Sequence, residues 1–475
     1  MPSIDRTGIS QLTALLDEVN TTVDRVLKTD SVALPSHDSL DSAILPPAPS
    51  VLEAISVVKE LLALLQGISA VFERSLGYHV SSSLRVAVEA HVAETLREAK
   101  KEQGKEGLHA AEIAKSSNID PAKLARILRL LGAHHIFVET QPDCFGLNRN
   151  ARVLDTGKSV EELKSSKDWY TGTNGFAALI AFRTSEPLLA SSSLSSTLLH
   201  PSRSISHSTS ASSTALVRAL HATGQSTAKT AWEFFTSDEE AGRRFGAAMR
   251  GLSSFGQGGE GERGFPFSSL PNGALVVDVG SGIGSVSLSL IKSFPHLKIV
   301  LQDREEVMEQ AKAVWGDEAS NAVKEGRVQF MPHDFFQPQP VKSADVYLLR
   351  AIIHDWADDY ALRILRQLHR SASPSSTLLL IELPLSHLSS SGGRVPSIPG
   401  ITPYLLDLHM LTSINGQERT KELVERLAGR AGWRLRKVWK TGEVKEGKQE
   451  GEEGEREDGA WRMYEFETSK AKEEV

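Results

Sequence analysis

The sequence predicts an α/β fold for its C-terminal half: a Rossmann-like sheet ending in an antiparallel hairpin, preceded by a mainly helical, winged-helix-like region. Two observations carry this. From Ala274 onward, short apolar runs (ALVVDVG, LKIVLQD, RVQFMPHD, ADVYLLR, STLLLIEL) alternate with amphipathic stretches, and the series closes on GWRLRKVWK and WRMYEFET. Alternation of this kind specifies a parallel sheet covered by helices on both faces. Upstream, LHAAEIAKSSNIDPAKLARILRLLGAHHIFVETQPDCFGLN reads helix, turn, helix, hairpin, the order of a winged-helix unit.

At 475 residues with 40% hydrophobic content, the chain has room for two or three domains and a substantial core. A net charge of -7 and a pI near 6.1 offer no electrostatic basis for wrapping nucleic acid or holding an anionic membrane. The single cysteine, Cys144, forms no intrachain disulfide, so no oxidising compartment is required. The first residues carry acids early and lack a secretory pattern, and no apolar run approaches the ~20 residues of a membrane span. The expectation is a cytoplasmic protein.

Residues 1–50 read as a helix and a Ser/Pro-rich linker, 51–165 as the winged-helix-like part, 166–270 as a helical connector, and 271–475 as the α/β domain. Within 51–101, Val57, Leu61, Leu62, Leu65, Val86, Val88, Val92 and Leu96 recur at helical spacing and predict packing helices. A DNA-reading helix is one meaning of the winged-helix order. In AKLARILRLL, however, Leu124, Ile127, Leu128, Leu130 and Leu131 leave only a thin basic stripe of Lys123, Arg126 and Arg129, which favours an interaction helix over a groove reader. The serine density of 185–214 predicts a mobile insertion. SHLSSSGGRVPSIPG from Ser386 and EVKEGKQEGEEGERED from Glu443 predict two further surface excursions.

The first strand of the α/β region runs into Asp278-Val279-Gly280-Ser281-Gly282-Ile283-Gly284 and then directly into a helix. Glycines let such a turn approach a ligand closely, and the helix start supplies unpaired N–H groups. Nicotinamide, flavin and methyl-transfer enzymes all place a glycine-rich loop here. The dinucleotide pattern G-x-G-x-x-G requires Gly or Ala where this chain has Ser285; the pattern is instead D-x-G-x-G-x-G. Asp303, 21 residues after Gly282 at the end of the second strand, is placed to accept from two ribose hydroxyls. In MPHDFF, Asp334 suits an adenine amino group and Phe335 the ring face; the alternative for Asp334 is a cap on the following turn, and its place at a strand's carboxyl end favours the ligand.

After the fourth strand the chain reads LLRAIIHDWADDYALRILRQLH. The helix from about Asp358 buries Ala361, Ile364, Leu365 and Leu368, so His354 falls in the loop at the carboxyl end of the strand. The fifth strand brings Glu382 to the same edge, where a carboxylate following an apolar strand needs a partner. His296, His333 and His369 lack such company and read as structural.

VVDVGSGIG, LQDREEV, HDFF, LLRAIIHDW, LIELPL and DLHMLTSINGQERT, in this order, closely resemble the plant caffeic-acid-type and fungal polyketide-type O-methyltransferases, over about residues 271–433 and the winged-helix segment near 85–155. The resemblance implies a class I methyltransferase sheet, a winged-helix dimerisation domain forming a homodimer, and metal-independent transfer from S-adenosylmethionine to a hydroxyl of a small aromatic acceptor. It implies His354 as general base flanked by Glu382 and Glu418. It further implies cofactor contacts from Asp278, Gly280, Gly282, Asp303, Asp334, Phe335 and Arg350, and acceptor contacts from Met410 and Asp355. Ser281 replaces a common glycine, the segment before Glu418 is short, and the three insertions are unusual.

A phenol with pKa near 10 facing a histidine near 6.5 leaves proton transfer uphill by about 5 kcal/mol. Glu382 bonded to one ring nitrogen is the expected remedy, because it fixes the tautomer and stabilises the imidazolium. For Glu418 the plainer alternative is an exposed salt bridge with Arg419 or Lys421. The single cysteine and scattered histidines predict no metal-binding cluster. Three other readings remain: a diverged enzyme with a nitrogen or other acceptor, a non-catalytic cofactor-binding interaction protein, and a nicotinamide dehydrogenase, which Ser285 disfavours.

Overall fold

The computed structural model describes residues 13, 14, 16–21, 49–166, 168–254, 264–388, 400–440 and 461–469. The chain forms two compact units, residues 1–258 and 259–475.

In the first unit, the helices Ala110–Ala114 and Pro121–Ala133 are followed by a hairpin of β2 (Phe137–Gln141) and β3 (Cys144–Leu147). The short β1 (Leu108–His109) adds to β3 and completes a three-stranded sheet. Asp120 caps the second helix by accepting from the Lys123 N–H, with Pro121 in the first turn, a pairing that starts helices cleanly. This helix buries Leu124, Ala125, Leu128 and Leu131. Its Arg129 is paired with Glu139 and Asp143, which removes one of three cations from the expected basic stripe.

The connector does not stand apart from the winged helix. Ala177, Ala178 and Ala181 of helix Phe176–Arg183, together with Ala247, share one core with Leu124, Leu128 and Phe145. Two expectations fail in this unit. Leu62 and Leu65, expected to pack, are 46% and 63% exposed, because helix Pro49–Gln66 finds no partner for that face within the described residues. The serine-rich 185–214 is not a featureless insertion: it forms short helices at Glu186–Ser192, Leu194–Leu198 and Arg203–Ser206. Its hydroxyls bond carbonyls three or four residues back, as in Ser185 to Ala181 and Ser192 to Leu189, so serine satisfies itself locally. Buried Glu186 pairs with buried Arg244 and anchors the segment. The excursions expected from Ser386 and Glu443 fall largely (389–399) or wholly outside the described residues.

The second unit holds a seven-stranded sheet in the order β6-β5-β4-β7-β8-β10-β9. Its strands are β4 (Leu275–Val279), β5 (Lys298–Asp303), β6 (Val328–Pro332), β7 (Val346–Arg350), β8 (Thr377–Glu382), β9 (Trp433–Lys440) and β10 (Arg462–Thr468). The first five pair in parallel, and β10 lies antiparallel between β8 and β9. Successive strand residues face opposite sides of a sheet. Accordingly Val277, Tyr347, Leu349, Leu378 and Leu380 join one core while Val276, Leu348, Leu379 and Ile381 join the other. With both faces covered, the polar groups at the strand ends define the place for chemistry. Among the described residues no helix is long and apolar enough to cross a membrane.

Candidate active site

Val279, Asp303, Arg350 and Glu382 end β4, β5, β7 and β8 at one edge. Beyond β4 the chain turns through Gly280 at φ +71°, and a Cβ there would lie 2.5 Å from Ile352 Cδ1. Only glycine meets both constraints. The turn feeds helix Ser285–Ser293. Asp303 Oδ2 accepts from the Gly282 N–H at 2.8 Å and Oδ1 from the Arg304 N–H at 2.8 Å. Each oxygen keeps a lone pair for a further donor. Burial raises the Asp303 carboxyl above its ordinary pKa, opposed by those two amides. A backbone cradle beside a carboxylate with spare acceptor capacity fits a ribose-bearing cofactor.

Other residues expected at the cofactor take varied positions. Asp278 is buried inside the fold, where its Oδ2 accepts from Ser287 Oγ at 2.6 Å; burial pushes its carboxyl up to about 6. This hydrogen bond braces β4 to the following helix. Asp334 is exposed and accepts from the Phe336 N–H at 2.9 Å, the turn cap left open above. The Phe335 ring lies against the Gly280 turn and meets Trp356 edge-on. The Arg350 guanidinium sits over the Trp461 ring, 4.9 Å from its centroid.

His354 occupies the short turn Ile353–Asp355 after β7. Its Nδ1 is 2.9 Å from Glu418 Oε1, and its Nε2 is 3.4 Å from Asp355 Oδ1. The side chains of His354 and Glu418 are 15% and 2% exposed. Glu382 Oε1 instead accepts from the backbone N–H groups of Ile352 and Ile353, at 3.3 and 3.0 Å. The expected partner of the ring is thus corrected: Glu418 holds the imidazole, and Glu382 holds the loop that carries it. Glu418 is buried, which removes the reading as an exposed salt bridge. The Oε2 atoms of both glutamates are buried without a hydrogen-bond partner among the described residues.

Burial alone would lower the His354 pKa, but the carboxylates of Glu418, Asp355 and Glu382 outweigh it and raise the imidazole to about 10. Burial in turn pushes Glu382 to about 7 and Asp355 to about 6, with the imidazole opposing both. An imidazole between carboxylates binds its proton tightly, and the charge it gains on taking a proton is well stabilised.

Glu418 reaches the ring because its segment is pressed against the histidine turn. Helix Thr402–Ile414 ends on left-handed Asn415. At Gly416 a Cβ would lie 2.2 Å from the His354 carbonyl oxygen. The Gln417 N–H donates to that oxygen at 2.8 Å, and the Glu418 N–H donates to Asp407 Oδ1 at 2.9 Å. Sequence reasoning missed Gly416, whose only signal is its place beside Asn415 in a polar run between two helices. Met410 lies half-buried on helix Thr402–Ile414.

The convergence expected to be absent is present: His354, Glu382 and Glu418 each offer a ligand-type atom within 4.8 Å of the others. Residue counts therefore do not exclude a metal here.

Residues 215–434 match the model of the O-methyltransferase domain, and 72–156 match that of the O-methyltransferase dimerisation domain. An O-methyltransferase of Armillaria gallica is 34% identical over 440 residues, covering 88% of this chain and 89% of the relative. The chain belongs to the O-methyltransferase family. The 4-O-methyltransferase 1 of Phanerochaete chrysosporium is also 34% identical, over 381 residues, covering 76% of this chain and 79% of the relative. The solved structure of human N-acetylserotonin methyltransferase in complex with S-adenosylmethionine has the same fold, with a TM-score of 0.62, 21% identity, and coverage of 85% and 98% of the two chains. This O-methyltransferase uses S-adenosylmethionine and acts on small metabolites, and the family is metal-independent. Its dimerisation domain supports a homodimer.

Proposed function

We propose that this O-methyltransferase transfers a methyl group to a phenolic hydroxyl of a small aromatic metabolite, with His354 as the general base, as a cytoplasmic enzyme. The observation that carries the reading is the seating of His354: Nδ1 on buried Glu418 at 2.9 Å, with three carboxylates raising the ring to about 10. That value meets the ordinary phenol pKa near 10. From the neutral imidazole the uphill transfer of a normal histidine shrinks toward zero, and the cost moves to the prior loss of the ring's own proton, which falls as pH rises. Transfer between groups of matched pKa carries little thermodynamic cost, and the carboxylates stabilise the imidazolium as it forms. Nδ1 is committed to Glu418, which leaves Nε2 to take the acceptor proton once Asp355 yields its place beside it. Asp355 then accepts from or positions the acceptor, and Met410 lines its apolar side.

When bound, S-adenosylmethionine supplies an electrophilic methyl group on a positive sulfonium. Asp303 holds the ribose hydroxyls, the Gly280–Gly282 turn receives the cofactor closely, Phe335 covers the adenine, and Asp334 and Arg350 complete its surroundings. Asp303→Asn weakens charge-assisted acceptance from two hydroxyls, and the cofactor Kd rises about 10-fold or more. Titration calorimetry with S-adenosylmethionine checks this without turnover.

The deciding experiment is a panel of phenols, alcohols and amines incubated with methyl-labelled cofactor, read by mass. Methylated phenol is the expected product. Transfer confined to amines or aliphatic alcohols would overturn the phenolic assignment.

A further inference from the structure

We propose that Arg419 is a positioning residue for the reaction, holding the His354 turn in the geometry that lets Glu418 and Glu382 act on the base. Its guanidinium is buried, with a side chain 2% exposed. It donates to the Ile353 carbonyl at 2.6 Å and to the Trp356 carbonyl at 2.6 Å, which bracket His354 and Asp355 in the chain. Nε and a terminal nitrogen also donate to Asp358 Oδ1, at 3.0 and 2.9 Å. Asp358 begins the helix that leaves this turn. One planar group therefore pins the turn before the base, after it, and at the next helix. Only a guanidinium has the donors to do so at once.

Arg419 follows Glu418 directly, so the residue that bonds the ring and the residue that bonds the backbone beneath it move together. The Gln417 N–H adds a bond to the His354 carbonyl from the same segment. The charge of Arg419 also bears on the cluster, because it favours the ionised forms of Glu382 and Asp407. The groups facing His354 are Glu418, Asp355 and Glu382, with Asp407, Asp358 and Arg419 behind them. Removing the guanidinium takes its bond from the Trp356 carbonyl, leaves the Ile353 carbonyl only the Trp356 N–H at 3.3 Å, and makes the surroundings of the imidazole more negative.

The inference rests on His354 as the base, and the test separates the two. Steady-state rates across pH are measured for the full chain, its Arg419→Lys and Arg419→Gln variants, and His354→Ala, together with cofactor Kd and thermal melting. The expected result for Arg419→Gln is a kcat about 100-fold lower, cofactor Kd within about twofold, and a kcat inflection moved to higher pH. Arg419→Lys keeps the charge but loses the fork. It falls between the two in rate, leaves the inflection near its original place, and remains the test if the glutamine variant does not fold. Retention of kcat within about threefold in both variants would overturn the proposal. So would a loss that follows only the folded fraction, with the inflection unmoved in Arg419→Gln. Failure of the base reading shows separately, as full transfer by His354→Ala.

Discussion

Replacing His354 by alanine lowers kcat by about 10²- to 10⁴-fold, the range that a positioned general base contributes, while cofactor affinity stays near that of the parent. The loss is specific in its pH dependence. In the parent, Glu418, Asp355 and Glu382 overcome the effect of burial and raise the imidazole to about 10, so the free enzyme holds His354 protonated through the neutral range. The fraction able to act as base rises tenfold per pH unit up to about 10, and log kcat/KM rises with it. In His354→Ala the imidazole's part in that rise is gone, and the residual slow rate follows only the ionisation of the phenol itself. Glu418→Gln removes the carboxylate that contributes most to the raised value, so its inflection moves to lower pH. Its rate still falls, because an amide stabilises the imidazolium poorly. Kinetics across pH with one phenol check all three enzymes, and an unshifted inflection in Glu418→Gln would separate Glu418 from the base.

Stability runs the opposite way with pH. His354 has a folded pKa above its ordinary value of 6.5. Its contribution is therefore fully present below about 6.5 and is lost as pH rises through about 10. Glu382 and Asp355, raised by burial to about 7 and about 6, act with the same sign at lower pH, because they bind more protons folded than unfolded. The cluster becomes more reactive over the range in which it stabilises the fold less.

Substituting Gly416 by alanine should cost both fold and activity. The added Cβ would sit 2.2 Å from the His354 carbonyl oxygen and 2.8 Å from the Asp355 carbonyl carbon. Both are backbone atoms that cannot rotate aside, so either the 416–418 segment or the histidine turn must move. Overpacking of this kind costs about 1–3 kcal/mol, visible as a melting point several degrees lower. The displacement also draws Glu418 from the imidazole, and kcat falls about 100-fold, as for an ångström of misplacement at a reacting group. Gly429, in helix Lys421–Arg430 with open space at its Cβ position, is the control. There alanine is neutral or slightly stabilising. An active, fully stable Gly416→Ala enzyme would rule out the close approach.

The amino-acid sequence by itself determined the order of the sheet elements, the glycine turn, the carboxylate of Asp303 and the location of His354 beyond β7. These are local features: apolar runs set strands, glycine sets the turn, and a loop after a parallel strand lies at the ligand edge. Tertiary structure alone decided which carboxylate meets the ring. Glu382 and Glu418 are both acids of the right type, and their spacing from His354 does not distinguish a loop anchor from a ring partner. The choice is made by the press of Gly416 on the histidine turn and by Arg419 beneath it, contacts between segments more than 60 residues apart. The same distinction applies to Asp278, whose buried carboxyl accepts from Ser287, a contact the glycine motif by itself does not encode. Residue types and spacing limit what a side chain can do; which neighbour satisfies it depends on how the chain packs.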